Sequence, residues 1–138
     1  MVLKKLVPQV PNILKIPQSS GISGWICLLY NNLNPICLWV TNNDSYEIPI
    51  CLDERLYGDT IFKAEKINNT IILSDIYILN CTNIFRSTTY KQRSELISEI
   101  ISRFYTEIKG FPQIIPKSKY DFGGKKLKGY ELYTEEVG

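Results

Sequence analysis

From Gly24 to Leu79 the chain alternates short apolar runs with clusters of Asn, Gly and Pro, a pattern that predicts β-strands joined by tight turns. Gly24–Tyr30 is a nearly continuous apolar run closed by Asn31 and Asn32. Pro35–Thr41 is a second run with its proline at the entry, so the two read as a hairpin. Ser45–Leu52 is expected to form a third strand, placed at a sheet edge by Pro49. The clearest hairpin joins Thr60–Ile67 to Thr70–Leu79. These β-branched runs are separated only by Asn68 and Asn69, and asparagine tolerates the positive φ of a two-residue turn. Along its first arm Ile61, Lys63, Glu65 and Ile67 share one face, and Phe62, Ala64 and Lys66 the other.

After Thr89 the period changes. Leu96, Ile97, Ile100, Ile101, Phe104, Tyr105 and Ile108 recur at helical spacing, predicting an amphipathic helix over Tyr90–Ile108. Thr89 and Gln92 are placed as its capping box and Gly110 as its stop. The remainder holds a short apolar stretch at Ile114-Ile115, a lysine-rich loop, and a strand-like run at Gly129–Thr134. Residues 1–20, with Pro8, Pro11 and Pro17, are expected to form an extended arm, and residues 21–138 a single domain. Runs of strands followed by a helix indicate an α+β fold: an antiparallel sheet of about five to six strands covered by one long amphipathic helix.

Composition then removes much chemistry. The 138 residues contain no histidine, which excludes Ser-His-Asp and Cys-His catalysis, a histidine general base and every His-containing zinc site. Sixteen basic against fourteen acidic residues give a net charge of +2, too small to imply a nucleic-acid or membrane partner by itself. Cys27, Cys37, Cys51 and Cys81 form no C-x-x-C pair, and the first three lie within apolar runs, so buried, reduced thiols are expected rather than a zinc ribbon. With prolines interrupting the N-terminal segment and no long apolar span, the expected location is an intracellular, reducing compartment, cytoplasm or nucleus, with no membrane partner.

Among the remaining acid-base groups, Glu65 and Asp75 stand out because both lie in apolar strands of one hairpin. A carboxylate there has a cationic partner, shares a metal with its neighbour, shifts its pKa, or points to solvent from a half-exposed sheet. The tract Lys117–Tyr130 carries five lysines, including Lys125, Lys126 and Lys128, interleaved with Tyr120, Phe122 and Tyr130. Such a surface pairs lysine with phosphate and ring with base, although a solvated loop has the same composition. Trp25 and Trp39, one in each strand of the first hairpin, are candidates for stacking on a base or for packing in the core.

The stretch Tyr57-Gly-Asp-Thr-Ile-Phe-Lys-Ala-Glu-Lys-Ile67, its hairpin partner through Ser74-Asp-Ile76, and Tyr90-Lys-Gln-Arg93 opening a helix resemble the centre of the covalent nucleotidyltransferase fold of messenger-RNA capping enzymes and polynucleotide ligases. The resemblance matches Glu65 to the family's strand glutamate, Asp75 to its second-strand aspartate and Arg93 to its helix-opening arginine. The family's nucleophile is a lysine in Lys-x-Asp-Gly, whereas Ser20–Tyr30 holds no lysine and no aspartate. Lys63 and Ala64 stand where the family has Asp-Gly, and Lys119-Tyr-Asp121 is followed by Phe122 in place of glycine. The cap-binding domain of snurportin, similar in layout, also lacks the lysine.

The resemblance implies a non-catalytic module for a nucleotide, an RNA end or a cap. Trp25 or Trp39 would stack on the base, Lys125, Lys126 and Lys128 would meet phosphate, and Tyr120 would belong to the same binding surface, with no cofactor. It leaves an enzymatic alternative, nucleotidyl transfer from Lys119 with Glu65 and Asp75 holding a divalent metal. A third reading is a structural subunit that docks a partner protein.

Overall fold

The computed structural model of the chain describes residues 13–19, 21–120 and 127–134. In chain order its elements are β1 (Ile13–Ser19), β2 (Ile22–Asn31), β3 (Asn34–Val40), β4 (Ser45–Glu47), β5 (Cys51–Leu52), β6 (Thr60–Ile67), β7 (Thr70–Leu79), β8 (Thr82–Asn83), α1 (Tyr90–Phe104), β9 (Tyr105–Thr106), β10 (Gln113–Pro116) and β11 (Leu127–Thr134). A seven-stranded sheet runs in the order β10-β7-β6-β2-β3-β4, with β8 alongside β7. Two small ladders pair β5 with β9 and β1 with β11. The class is α+β, as the sequence indicates.

Both predicted hairpins form. Residues 31–34 turn between β2 and β3 with φ of 49° at Asn32 and 70° at Leu33, a conformation that costs a leucine more than an asparagine. Leu33 is 94% exposed, so no packing offsets that cost within the chain. Asn68 takes the positive φ expected of it between β6 and β7.

Three expectations are corrected. The sheet is mixed, because Ile114 and Ile115 belong to β10, which pairs parallel with β7 and is reached by a β7–α1–β10 crossover. The third strand is broken at Pro49: β4 pairs with β3, and the chain beyond leaves the sheet so that β5 can pair with β9. The helix stops at Phe104 rather than Ile108. Tyr105 adopts extended backbone and its ladder with Leu52 takes the bonds that a further helical turn would need.

At the other helix end the capping box is made as predicted: the Thr89 hydroxyl accepts from the Gln92 amide, and the Gln92 side chain accepts from the Thr89 amide. One sheet face carries Ile26, Leu28, Phe62, Ala64, Leu73 and Ile76, which join Ile97 and Ile100 of α1 in one core cluster. Burying each large aliphatic or aromatic side chain contributes about 1.5–3 kcal/mol. The expected arm at residues 1–20 includes β1; residues 1–12 lie outside the described residues.

Candidate functional site

Alternation along the strands sends the residues between those core positions to the opposite face. Trp25 of β2, Lys63 of β6 and Asp75 of β7 form one cross-strand row there, next to the core row of Ile26, Phe62 and Ile76. Lys63 opposes Asp75 whereas Ala64 opposes Leu73, so Ser74 is an extra residue on β7. Its hydroxyl donates to the Lys63 carbonyl at 3.1 Å. On its outer side β7 pairs with β10 over Thr70–Leu73 and with β8 over Ile78–Leu79, leaving an interval at residues 74–77.

Arg93 serves that interval from the first turn of α1. Its Nε donates to Asp75 Oδ1 at 2.7 Å, its Nη1 donates to the carbonyls of Thr88 at 2.6 Å and Phe85 at 3.2 Å, and its guanidinium lies 4.3 Å from the Phe85 ring centre. Both partners of the ion pair are buried. Asp75 Oδ1 also accepts from the Ile76 amide at 2.8 Å, while Oδ2 is buried with no hydrogen-bond partner. Burial therefore pushes the Asp75 carboxyl up to about 6, outweighing the opposing pull of Arg93, the Ile76 amide and Lys63.

Glu65 is equally buried and its Oε1 lies 3.5 Å from Nζ of Lys117, a lysine held in the 3-10 turn Lys117–Lys119 that follows β10. Of the alternatives open for the two carboxylates, the observed one is a cationic partner for each, with a raised pKa for Asp75; exposure to solvent is ruled out. Among the described residues no three His, Cys, Asp or Glu side chains converge as metal ligands.

The other predicted residues are scattered. Trp39 is 2% exposed and belongs to the core cluster, so its ring is not open to a base. Trp25 is half-buried and meets Tyr77 edge-on at 5.3 Å, with Tyr77 in turn 4.3 Å from Phe85. Tyr120 is half-buried just beyond the Lys117–Lys119 turn, and Lys119 is exposed. Lys125 and Lys126 lie outside the described residues, and Lys128 is part of β11. Cys27 and Cys37 are buried, and burial raises both thiols; Cys51 is half-buried and Cys81 exposed, against the expectation for Cys51.

One arrangement was not expected from the sequence. A cavity of about 230 Å³ lies between the C-terminal half of α1 and the 3-10 turn Glu54–Leu56, floored by Leu56, Leu79, Leu96, Ile100 and Phe104 and rimmed by Arg55, Arg103, Glu99 and Asn80. Asp53 grips Arg55 through two bonds of 2.9 Å, and Arg55 lies 4.9 Å from the Phe104 ring centre. Hydrogen bonds from Arg55 hold the Asp53 carboxyl down to about 2. Arg103 pairs with Glu99 at 3.3 Å, and both arginine side chains remain largely in solvent. The only trace of this in the sequence is that Arg103 lies off the apolar stripe of the helix; Arg55 carries no local signal.

No family model and no curated protein matches the chain. No described helix is long and apolar enough to cross a membrane.

Proposed function

We propose that the chain is a non-catalytic module that holds a nucleotide or the phosphorylated end of an RNA. The supporting observation is the convergence of Arg55 and Arg103, with Phe104 and Asn80, on one cavity with an apolar floor. Guanidinium groups suit phosphate geometry, an aromatic ring suits a base, and the exposed Glu99 partner of Arg103 can be exchanged for phosphate at little cost. Trp25, on the sheet face opposite the core row, is the other candidate for stacking on the base, with Lys125, Lys126 and Lys128 as the residues that the resemblance assigns to phosphate. The partial resemblance to the capping-enzyme and ligase fold supports the same class of ligand.

The non-catalytic half of the proposal rests on chemistry. The segment that carries the family's lysine nucleophile has none here, and Glu65 and Asp75, the carboxylates of the enzymatic alternative, are each engaged by a buried cation. Titration of a labelled, 5′-phosphorylated short RNA and of GTP at low ionic strength, followed by anisotropy and calorimetry, tests the reading. Saturable binding that weakens steeply with salt is expected, and Arg55→Gln with Arg103→Gln is expected to weaken it roughly tenfold. Loss of binding in Trp25→Phe instead, with the double arginine variant unaffected, moves the ligand to the tryptophan face. Absence of binding to both probes refutes the proposal, and radiolabel from GTP surviving denaturing electrophoresis refutes its non-catalytic half.

A further inference from the structure

A second cavity opens at the end of the sheet where β2 finishes, β6 starts and β7 turns into β8. Its volume is about 390 Å³, within the range of small-molecule sites. Cys27, Leu29, Ile61 and Ile78 supply apolar wall on the face away from the core, and Asp59 and Cys81 stand at its rim. Burial raises the Cys27 thiol above its usual value, so that wall is uncharged at neutral pH.

The rim is tightly specified. Asp59, Asn80 and Cys81 have φ of 64°, 46° and 72°, and cysteine gains nothing intrinsic from that conformation. The Cys81 amide donates to the Asp59 carbonyl at 3.0 Å, the Gly58 amide to Asn80 Oδ1 at 3.2 Å, and the Asn80 amide to the Thr60 hydroxyl at 3.1 Å. These bonds bring Cys81 Sγ to 3.9 Å from Asp59 Oδ2. Asp59 is exposed at the mouth, and it is the one carboxyl side chain among the lining residues.

We infer that this cavity binds a small organic cation: an apolar body seated between the strands, with one ammonium group at the mouth against Asp59. Charge complementarity selects the ligand class. An anion would meet a carboxylate, and a purely apolar molecule would leave that charge partly desolvated with nothing to offset it. The site is distinct from the arginine-rimmed cavity, whose two arginines are each paired with a carboxylate, although Asn80 contributes to the rim of both.

The test compares two probes of equal size, 3-phenylpropylammonium and 3-phenylpropan-1-ol, titrated into the full chain while backbone amide shifts of Ile61, Ile78 and Cys81 are followed by NMR. The ammonium probe is expected to bind roughly fivefold more tightly than the alcohol, a preference of the size exposed ion pairs give. Asp59→Asn, which keeps a residue tolerant of positive φ, is expected to erase the preference while leaving the alcohol's affinity unchanged. Saturation with the ammonium probe is expected to slow alkylation of Cys81. Equal affinity of the two probes for the unaltered chain, no binding of either, shifts confined to other residues, or a preference that survives Asp59→Asn each overturns the inference. If Asp59→Asn does not fold, the unaltered chain still decides it: the preference must shrink as salt is raised, and one that does not refutes the role of Asp59.

Discussion

Asp75 receives both of its hydrogen bonds on one oxygen and none on the other, and this asymmetry governs how it titrates. Protonation at Oδ2 relieves a buried charge without breaking the bonds to Arg93 and Ile76, which is why burial dominates and the group titrates near 6. In the unfolded chain an aspartate titrates near 3.9. Between those values the folded state binds more protons than the unfolded state, so this group's contribution is fully present below about pH 4, is lost as pH rises toward 6, and is flat above. The unaltered chain is therefore expected to lose stability, on the order of 2 kcal/mol, relative to Asp75→Asn between pH 4 and pH 6.5. Removing the carboxylate from beside Arg93 adds an offset of its own to the variant's stability, so the pH slope and not the absolute difference is the readout. Parallel thermal melts of the two proteins across that range measure the slope. A stability difference that does not change with pH would show that Asp75 ionises at its ordinary value.

At the scale of elements, β2 is the hinge of the arrangement because it pairs with both β3 and β6 and carries Trp25 to one face and Ile26 to the other. Its Gly24 is required by close approach, since a Cβ there would stand 2.5 Å from the Val40 carbonyl oxygen and 2.9 Å from the Trp39 ring. Gly24→Ala must displace backbone of β3 together with a buried tryptophan. It is expected to lower stability by about 2–3 kcal/mol, the usual cost of overpacking a core. Chemical denaturation with unchanged m-value checks this, and a loss below half a kilocalorie would mean that β3 shifts freely. Signals of this local kind are also the ones legible in the sequence. Asn68 at the β6–β7 turn, the Thr89–Gln92 box and the alternation of Phe62 and Ala64 against Lys63 and Glu65 each involve residues within a few positions of one another. What the sequence did not disclose depends on distant partners. Ile114 and Ile115 become a parallel strand only because β7 offers an unpaired edge. Tyr105 leaves the helix only because Leu52 awaits it, and Arg55 meets Arg103 only once both elements are folded.

For the molecule as a whole, the question is whether the buried polar centre is a site or a fastening. Arg93 joins α1 to β7 within the crossover, and Lys117 joins the turn after β10 to β6, reaching across the β7 strand that lies between them. Both carboxylates were singled out in the sequence for chemistry, but a carboxylate matched to a buried guanidinium or ammonium group serves equally to fix how layers meet. The two roles separate by substitution. Arg93→Met leaves Asp75 buried beside no cation except Lys63 across the strand pair, and is expected to cost about 3–5 kcal/mol; Asp75→Leu strands Arg93 at a similar cost. Combined, the two changes replace an ion pair with apolar groups of comparable volume, and most of the stability is expected to return, with a coupling of several kcal/mol in the double-mutant cycle. Denaturant unfolding of the four proteins measures that coupling. If the centre is a fastening, the double variant also keeps the RNA and nucleotide affinity of the unaltered chain, because the arginine-rimmed cavity lies at the other end of α1. A double variant that recovers its stability but loses the ligand would instead place binding at Asp75 and Arg93, beside Trp25, and would make the aspartate matched by the resemblance a ligand contact after all.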